Sequence, residues 1–85
     1  MRYKQDLLRA LNELDFPTDV LCLEGLLLDT DELIHHTMIH TKEETENLIN
    51  EFFPNEELVG GRIGAFRNIE ITGWHYKPIS EALGK

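Results

Sequence analysis

The sequence predicts a single α+β domain in which two amphipathic helices pack on a small antiparallel sheet with a C-terminal β-hairpin. Three observations predict this class: an apolar stripe at helical spacing near the N-terminus, a capped helix in mid-chain, and strand-like alternation in the last third. The chain has 85 residues, of which 41% are hydrophobic. This length suits one small domain, residues 1–85, with a modest core.

The first element is a helix over residues 3–14. Tyr3, Leu7, Leu11 and Leu14 recur at the spacing that places side chains on one face of a helix. The helix is expected to end before Pro17, because the residue that precedes a proline is driven out of helical geometry.

Residues 20–28 are nearly all apolar and therefore predicted to be buried, but their periodicity fits two structures. Two short strands around Glu24 and Gly25 would form a hairpin. A single helix capped by Thr18 would instead carry Gly25 at a cost of about 1 kcal/mol. The short length and the central glycine favour strands.

Residues 31–40 are equally open to two structures. As a strand, the segment places His35 on one face and His36 and His40 on the other, whereas a helix would align Glu32, His36 and His40. If residues 20–40 were helical, the chain would be mostly helical through Phe53 with a C-terminal hairpin attached, which is the main competing architecture.

The clearest local signal is the helix over residues 42–53. Thr41 and Glu44 have the spacing of a capping box, in which each side chain accepts a hydrogen bond from the other residue's backbone N–H. Acidic residues follow the cap, which suits the positive end of the helix dipole, and Pro54 ends the helix.

The last third of the chain is predicted to contribute two strands, residues 57–63 and 66–77. The pair Gly60-Gly61 is typical of a hairpin turn, because glycine adopts positive φ angles readily. A bulge at Gly73 would let Ile69 and Ile71 face the core together with Trp74 and Tyr76, and residues 80–84 would close as one helical turn.

Charge is unevenly distributed along the chain. The formal net charge is −8, and residues 13–57 contain thirteen acids against one base, Lys42. Such a field repels phosphate backbones and attracts basic proteins, so no duplex nucleic acid is expected and a basic protein partner is. Aromatic and basic residues within 66–77 leave a local single-strand contact as a minor alternative.

We therefore expect a non-catalytic, small acidic binding protein that docks on a basic partner protein and inhibits or regulates it. Its partner-binding residues are expected among the exposed acids. These acids are Asp29, Asp31, Glu32, Glu43, Glu44, Glu46, Glu56 and Glu57. Antitoxins, immunity proteins and phage inhibitors of host defence share this size and acidity, which is an analogy by bulk properties alone. A homodimer formed through the leucine-rich residues 20–28 is a further alternative.

The alternative function is a metal- or pH-sensing protein that uses His35, His36 and His40, because imidazole binds zinc and titrates near neutral pH. Cys22 lies in an apolar run and is expected to be a core residue. The sequence shows no nucleophile with a base, so we expect no enzyme, no catalytic residue and no cofactor, and we assign no residue as a metal ligand.

The expected location is the cytoplasm. One cysteine cannot form an intrachain disulfide, and no apolar run reaches the roughly 18 residues of a membrane helix, so no membrane association is expected.

Overall fold

The computed structural model describes residues 2–84, which contain four strands and three helices. In chain order these are α1 (Lys4–Asn12), β1 (Asp19–Leu27), β2 (Glu32–Met38), α2 (Lys42–Phe52), β3 (Val59–Ile63), β4 (Phe66–Pro78) and α3 (Ile79–Ala82). The strands form one antiparallel sheet in the order β2-β1-β4-β3. The predicted α+β class is confirmed, and α3 is a short third helix.

One face of the sheet carries the core. Leu21 and Leu23 of β1 belong to the same buried cluster as Leu7 of α1 and Ile49 of α2, so both longer helices pack on that face. We call it the helix face. Cys22 and Glu24 alternate with those leucines and therefore lie on the opposite face, which we call the open face.

The predicted bulge in β4 is confirmed. Glu24 is the register partner of Gly73, but the next residue of β1, Gly25, is the partner of Ile71, so Thr72 is an extra residue in β4. The shift returns Ile71 to the helix face, where it is buried, while Trp74 packs against the same core.

The predicted turn at Gly60-Gly61 is wrong. Both glycines lie inside β3, and β3 is joined to β4 through Gly64 and Ala65 instead. Gly61 is required for another reason: the ring of Phe53 and the backbone of Phe52 occupy the space that its side chain would fill. Gly60 has a φ of 75°, at an irregular point of the β3–β4 pairing.

The hairpin predicted within residues 20–28 is also wrong, although strand was the better choice than helix. β1 continues through Glu24 and Gly25 without turning back. Its reversal comes later, at residues 28–31, where Asp31 has a φ of 60°. β1 is thus an internal strand, paired on both sides, and Val20 to Leu23 are buried.

Residues 32–38 form strand β2, so the helical alternative and the mostly helical competing architecture are excluded. The predicted helix after it is confirmed as α2, with both hydrogen bonds of the capping box formed between Thr41 and Glu44. The peptide bond between Phe16 and Pro17 is cis.

Candidate interaction surface

The eight predicted partner-binding acids are all exposed, but they lie in three separate places. Asp29, Asp31 and Glu32 lie at the β1–β2 turn. The second group, Glu43, Glu44 and Glu46, is in the first turns of α2. The third group, Glu56 and Glu57, lies beside the N-terminal segment. There Glu57 forms an isolated antiparallel bridge with Tyr3.

The first two groups lie at opposite ends of β2. The turn precedes this strand and α2 follows it after three residues. Seven residues of strand span about 23 Å at 3.3 Å per residue. An acidic group therefore lies near each end of one strand.

No lysine or arginine of residues 2–84 forms an ion pair with any of these eight acids. Within residues 2–84 the single ion pair that involves a lysine or arginine joins Arg9 to Asp6, at 3.2 Å. Lys4 and Lys42 donate instead to the backbone carbonyls of Phe53 and Asn12, at 2.9 and 3.1 Å. The acidic groups thus retain charges that an external cation could meet.

Two of these acids have structural roles as well. Asp29 accepts a hydrogen bond from the side-chain amide of Asn68 at 3.0 Å, which links the β1–β2 turn to β4. Hydrogen bonds from Thr41, backbone and side chain, lower the pKa of the Glu44 carboxyl, and His40 contributes to the same direction. Glu44 therefore stays ionised in moderately acidic solution.

The three neighbouring histidines do not converge on one point. His35 lies on the open face, whereas His36 lies on the helix face with its ring edge-on to Phe52, 5.8 Å between centroids. Burial and the nearby His40 lower the pKa of His36, so its ring favours the neutral form. His40 is 4.0 Å from Glu44.

The structure describes no metal site that these histidines could form. In residues 2–84 no three side chains of His, Cys, Asp or Glu are grouped closely enough to hold a metal ion. The histidine-based metal sensor is thus left without an assembled ligand set in this fold, because adjacent strand residues point to opposite faces.

Sequence reasoning missed a pair on the open face. Nδ1 of His75 lies 2.6 Å from a carboxylate oxygen of Glu24, across β1 and β4. No sequence signal could have found it, since 51 residues separate the two and only the register brings them together. Cys22, on the same face, is buried as predicted and accepts a hydrogen bond from the Thr37 hydroxyl at 3.7 Å.

The aromatic and basic residues of β4 do not form one stacking platform. Trp74 and Tyr76 lie on the helix face, where the Tyr76 hydroxyl donates to the carbonyl of Ala10. His75 and Lys77 alternate with them and point to the open face.

The outer edge of β2 has unpaired backbone groups. Leu28 donates its N–H to Asn68 on the β4 side, so the odd-numbered residues of β1, such as Leu27, direct their backbone groups towards β2. Their register partners are the even-numbered residues of β2. The N–H and C=O groups of Leu33, His35 and Thr37 therefore point away from the sheet, and within residues 2–84 no backbone hydrogen bond reaches them.

The other edge of the sheet is protected. Beside β3, Leu58 donates its N–H to the carbonyl of Arg2, and Lys4 donates to Glu56. The pairing of β3 with β4 is irregular, with two register shifts. An irregular, partly covered edge resists strand addition, whereas β2 is regular and free of lysine and proline.

Comparison with protein-family models, curated proteins and solved structures finds no match for this chain. The class that the fold and this surface define is a small α+β protein with one free sheet edge between two acidic groups. None of the helices in residues 2–84 has the length and apolar character needed to cross a bilayer.

Proposed function

We propose that this chain is a non-catalytic binding protein that docks through its exposed acids on a basic partner protein and so inhibits or regulates it. One observation carries the proposal: the eight acids are exposed, and no lysine or arginine of residues 2–84 pairs with them. Unpaired surface charge of one sign steers a partner of the opposite sign and raises its association rate.

The proposal places the partner and this chain together in the cytoplasm. An acidic docking surface would compete with other polyanions for the partner's basic surface. A small protein could in this way block a basic site without any catalysis. The antitoxins, immunity proteins and phage inhibitors are analogous in size and charge only.

The test is capture of bound proteins from a lysate of the natural source at low salt, followed by elution with rising salt. Two baits are compared: the natural chain and a variant in which all eight acids are changed to their amides. We expect a basic protein, near one-to-one, on the natural chain, released at moderate salt and absent from the variant.

The association rate of the purified partner should then fall steeply as the salt concentration increases, because screening shortens the range of the electrostatic attraction between the acids and the partner. Circular dichroism of the eight-fold variant controls for its folding. Equal retention of the partner by both baits, or recovery of the bait alone, would contradict the proposal.

A further inference from the structure

We infer that the outer edge of β2 accepts an extended, basic segment of the partner as an additional strand. This inference rests on the proposed function and specifies which part of the protein would bind and what the partner would supply. Three features of β2 support it: its free backbone groups, its exposed side chains and the charges near its ends.

The outward backbone groups of β2 supply the hydrogen bonds for binding. Leu33, His35 and Thr37 each direct one N–H and one C=O outward, which is the pattern that an added strand would pair with. β2 pairs with β1 over seven consecutive register pairs without a bulge. Its outward N–H and C=O groups therefore recur at every second residue along the edge.

The side chains that flank this edge suit an alternating apolar partner. On the open face, Leu33 is 72% exposed, and His35 is exposed beside it. On the helix face, Ile34 and His36 are half-buried. A strand laid along the edge would place alternate side chains beside each of these rows.

The charges decide the kind of partner. Asp31 and Glu32 lie at one end of β2, and Glu43 and Glu46 follow its other end, about 23 Å away. Lys42, the base nearest in sequence, is held by the carbonyl of Asn12. A second copy of this chain would bring like charges to both ends, whereas a segment with lysine or arginine at each end would match them.

The test uses a labelled probe peptide, Lys-Lys-Val-Thr-Val-Thr-Val-Lys-Lys, and fluorescence anisotropy in about 0.1 M salt, where charges beyond about 10 Å are screened. A second peptide of identical charge carries N-methyl groups on all five central residues, so that neither of its edges offers N–H donors there. We expect the natural chain to bind the N-methylated peptide at least about tenfold more weakly, since two or more hydrogen bonds are lost.

Two variants test the edge from the protein's side. His35→Pro removes an outward N–H without removing a bond to β1 and should weaken binding about tenfold, whereas His35→Ala, which keeps that N–H, should weaken it clearly less. Circular dichroism checks that the proline variant is folded. If it is not, the N-methylated peptide still tests the same bonds on the natural chain.

A charge-matched pair of variants tests the acids. The first variant changes the acids near the ends of β2 to amides and should weaken binding about tenfold, because four exposed ion pairs of modest strength are lost. Its substitutions are Asp31→Asn, Glu32→Gln, Glu43→Gln and Glu46→Gln. The control changes four exposed acids that lie outside all three groups of predicted partner-binding acids: Asp6→Asn, Asp15→Asn, Glu51→Gln and Glu81→Gln. It has the same net charge and should cost less than about threefold.

Equal binding of the two peptides, equal effects of the two quadruple variants, or no binding of the probe at millimolar concentration would each overturn the inference. So would a concentration-dependent dimer of the natural chain that His35→Pro abolishes, because the edge would then belong to a second copy.

These failures differ from failure of the proposed function. A basic protein captured equally by the natural chain and by His35→Pro would overturn the edge and retain acidic docking. Backbone-dependent peptide binding without any captured basic protein would retain the β2 edge as a strand-binding site and overturn acidic docking on a basic protein.

Discussion

At the scale of single residues, the packing of Gly61 shows most clearly how this fold constrains its sequence. The ring of Phe53 and the carbonyl oxygen of Phe52 lie where a Cβ atom would be, so α2 approaches β3 closely only because this residue has no side chain. Gly73, in the bulge of β4, has open space around the same position.

Gly61→Ala is expected to lower the free energy of unfolding by about 1–3 kcal/mol, because the new methyl group forces the buried Phe53 ring to move. Gly73→Ala is the matched control and should change stability by less than about 0.5 kcal/mol. Urea unfolding followed by circular dichroism measures both. Equal stability of the two variants would show that Phe53 does not hold Gly61 as described.

His36 gives a pH dependence with a defined sign. Burial and His40 lower its folded-state pKa below the ordinary value of 6.5, so the unfolded chain takes up the proton first as the pH falls. The contribution of His36 to stability is therefore expected to decrease as the pH drops below about 6.5. His36→Phe, which keeps a ring against Phe52, removes this contribution, so its stability should fall less than that of the natural chain on acidification.

The measurement is the free energy of unfolding between about pH 7.5 and pH 5.5, a window above the range in which carboxyl groups titrate. His35→Gln, on the exposed open face, is the control and should retain the natural pH dependence. An unchanged pH profile in His36→Phe would refute the assignment to His36.

At the scale of elements, α2 is defined by local interactions that its own sequence contains. Thr41 accepts from the Glu44 N–H at 3.2 Å, and Glu44 accepts from the Thr41 N–H at 3.1 Å. Both partners lie within four residues, so the helix start could be predicted without knowledge of the fold.

Thr41→Ala should destabilise the protein by about 1 kcal/mol through loss of this cap. Thr41→Ser, which keeps the hydroxyl, should restore most of the stability, and Thr30→Ala in the exposed β1–β2 turn should have little effect. Thermal unfolding distinguishes the three. A Ser variant as unstable as the Ala variant would argue against the hydrogen-bonded cap.

Elements that depend on distant partners were predicted less well. The bulge at Gly73 was predictable, since the parity of the apolar residues changes within one strand. The role of Gly61 was not, because the ring that excludes its side chain belongs to Phe53, directly after α2. The pair of Glu24 with His75, and the position of β2 at an edge, likewise follow from strand order, which no local pattern encodes.

At the scale of the whole molecule, charge acts on stability as well as on binding. The chain has a net charge of −8, with one ion pair between an acid and a lysine or arginine in residues 2–84. The remaining acids repel one another in the compact state, and this repulsion is largest when salt is low.

Raising sodium chloride from about 0.01 M to about 0.15 M, which shortens the Debye length from about 30 Å to about 8 Å, is expected to raise the unfolding midpoint. The rise should be smaller when all eight acids are changed to amides. Differential scanning fluorimetry measures both. The same salt response in both proteins would mean that these acids do not limit stability.

The pairing of β1 with β4 also bears on how the chain folds. Val20 is the register partner of Lys77, so the centre of the sheet joins segments from opposite ends of the sequence. Contacts of such large separation slow folding, because a long loop must close before they form. On the ribosome, β1 and β2 therefore emerge before β4 does, and β1 has an open edge until residues 66–78 have been synthesised. Completion of the sheet is therefore expected to be a late step of folding.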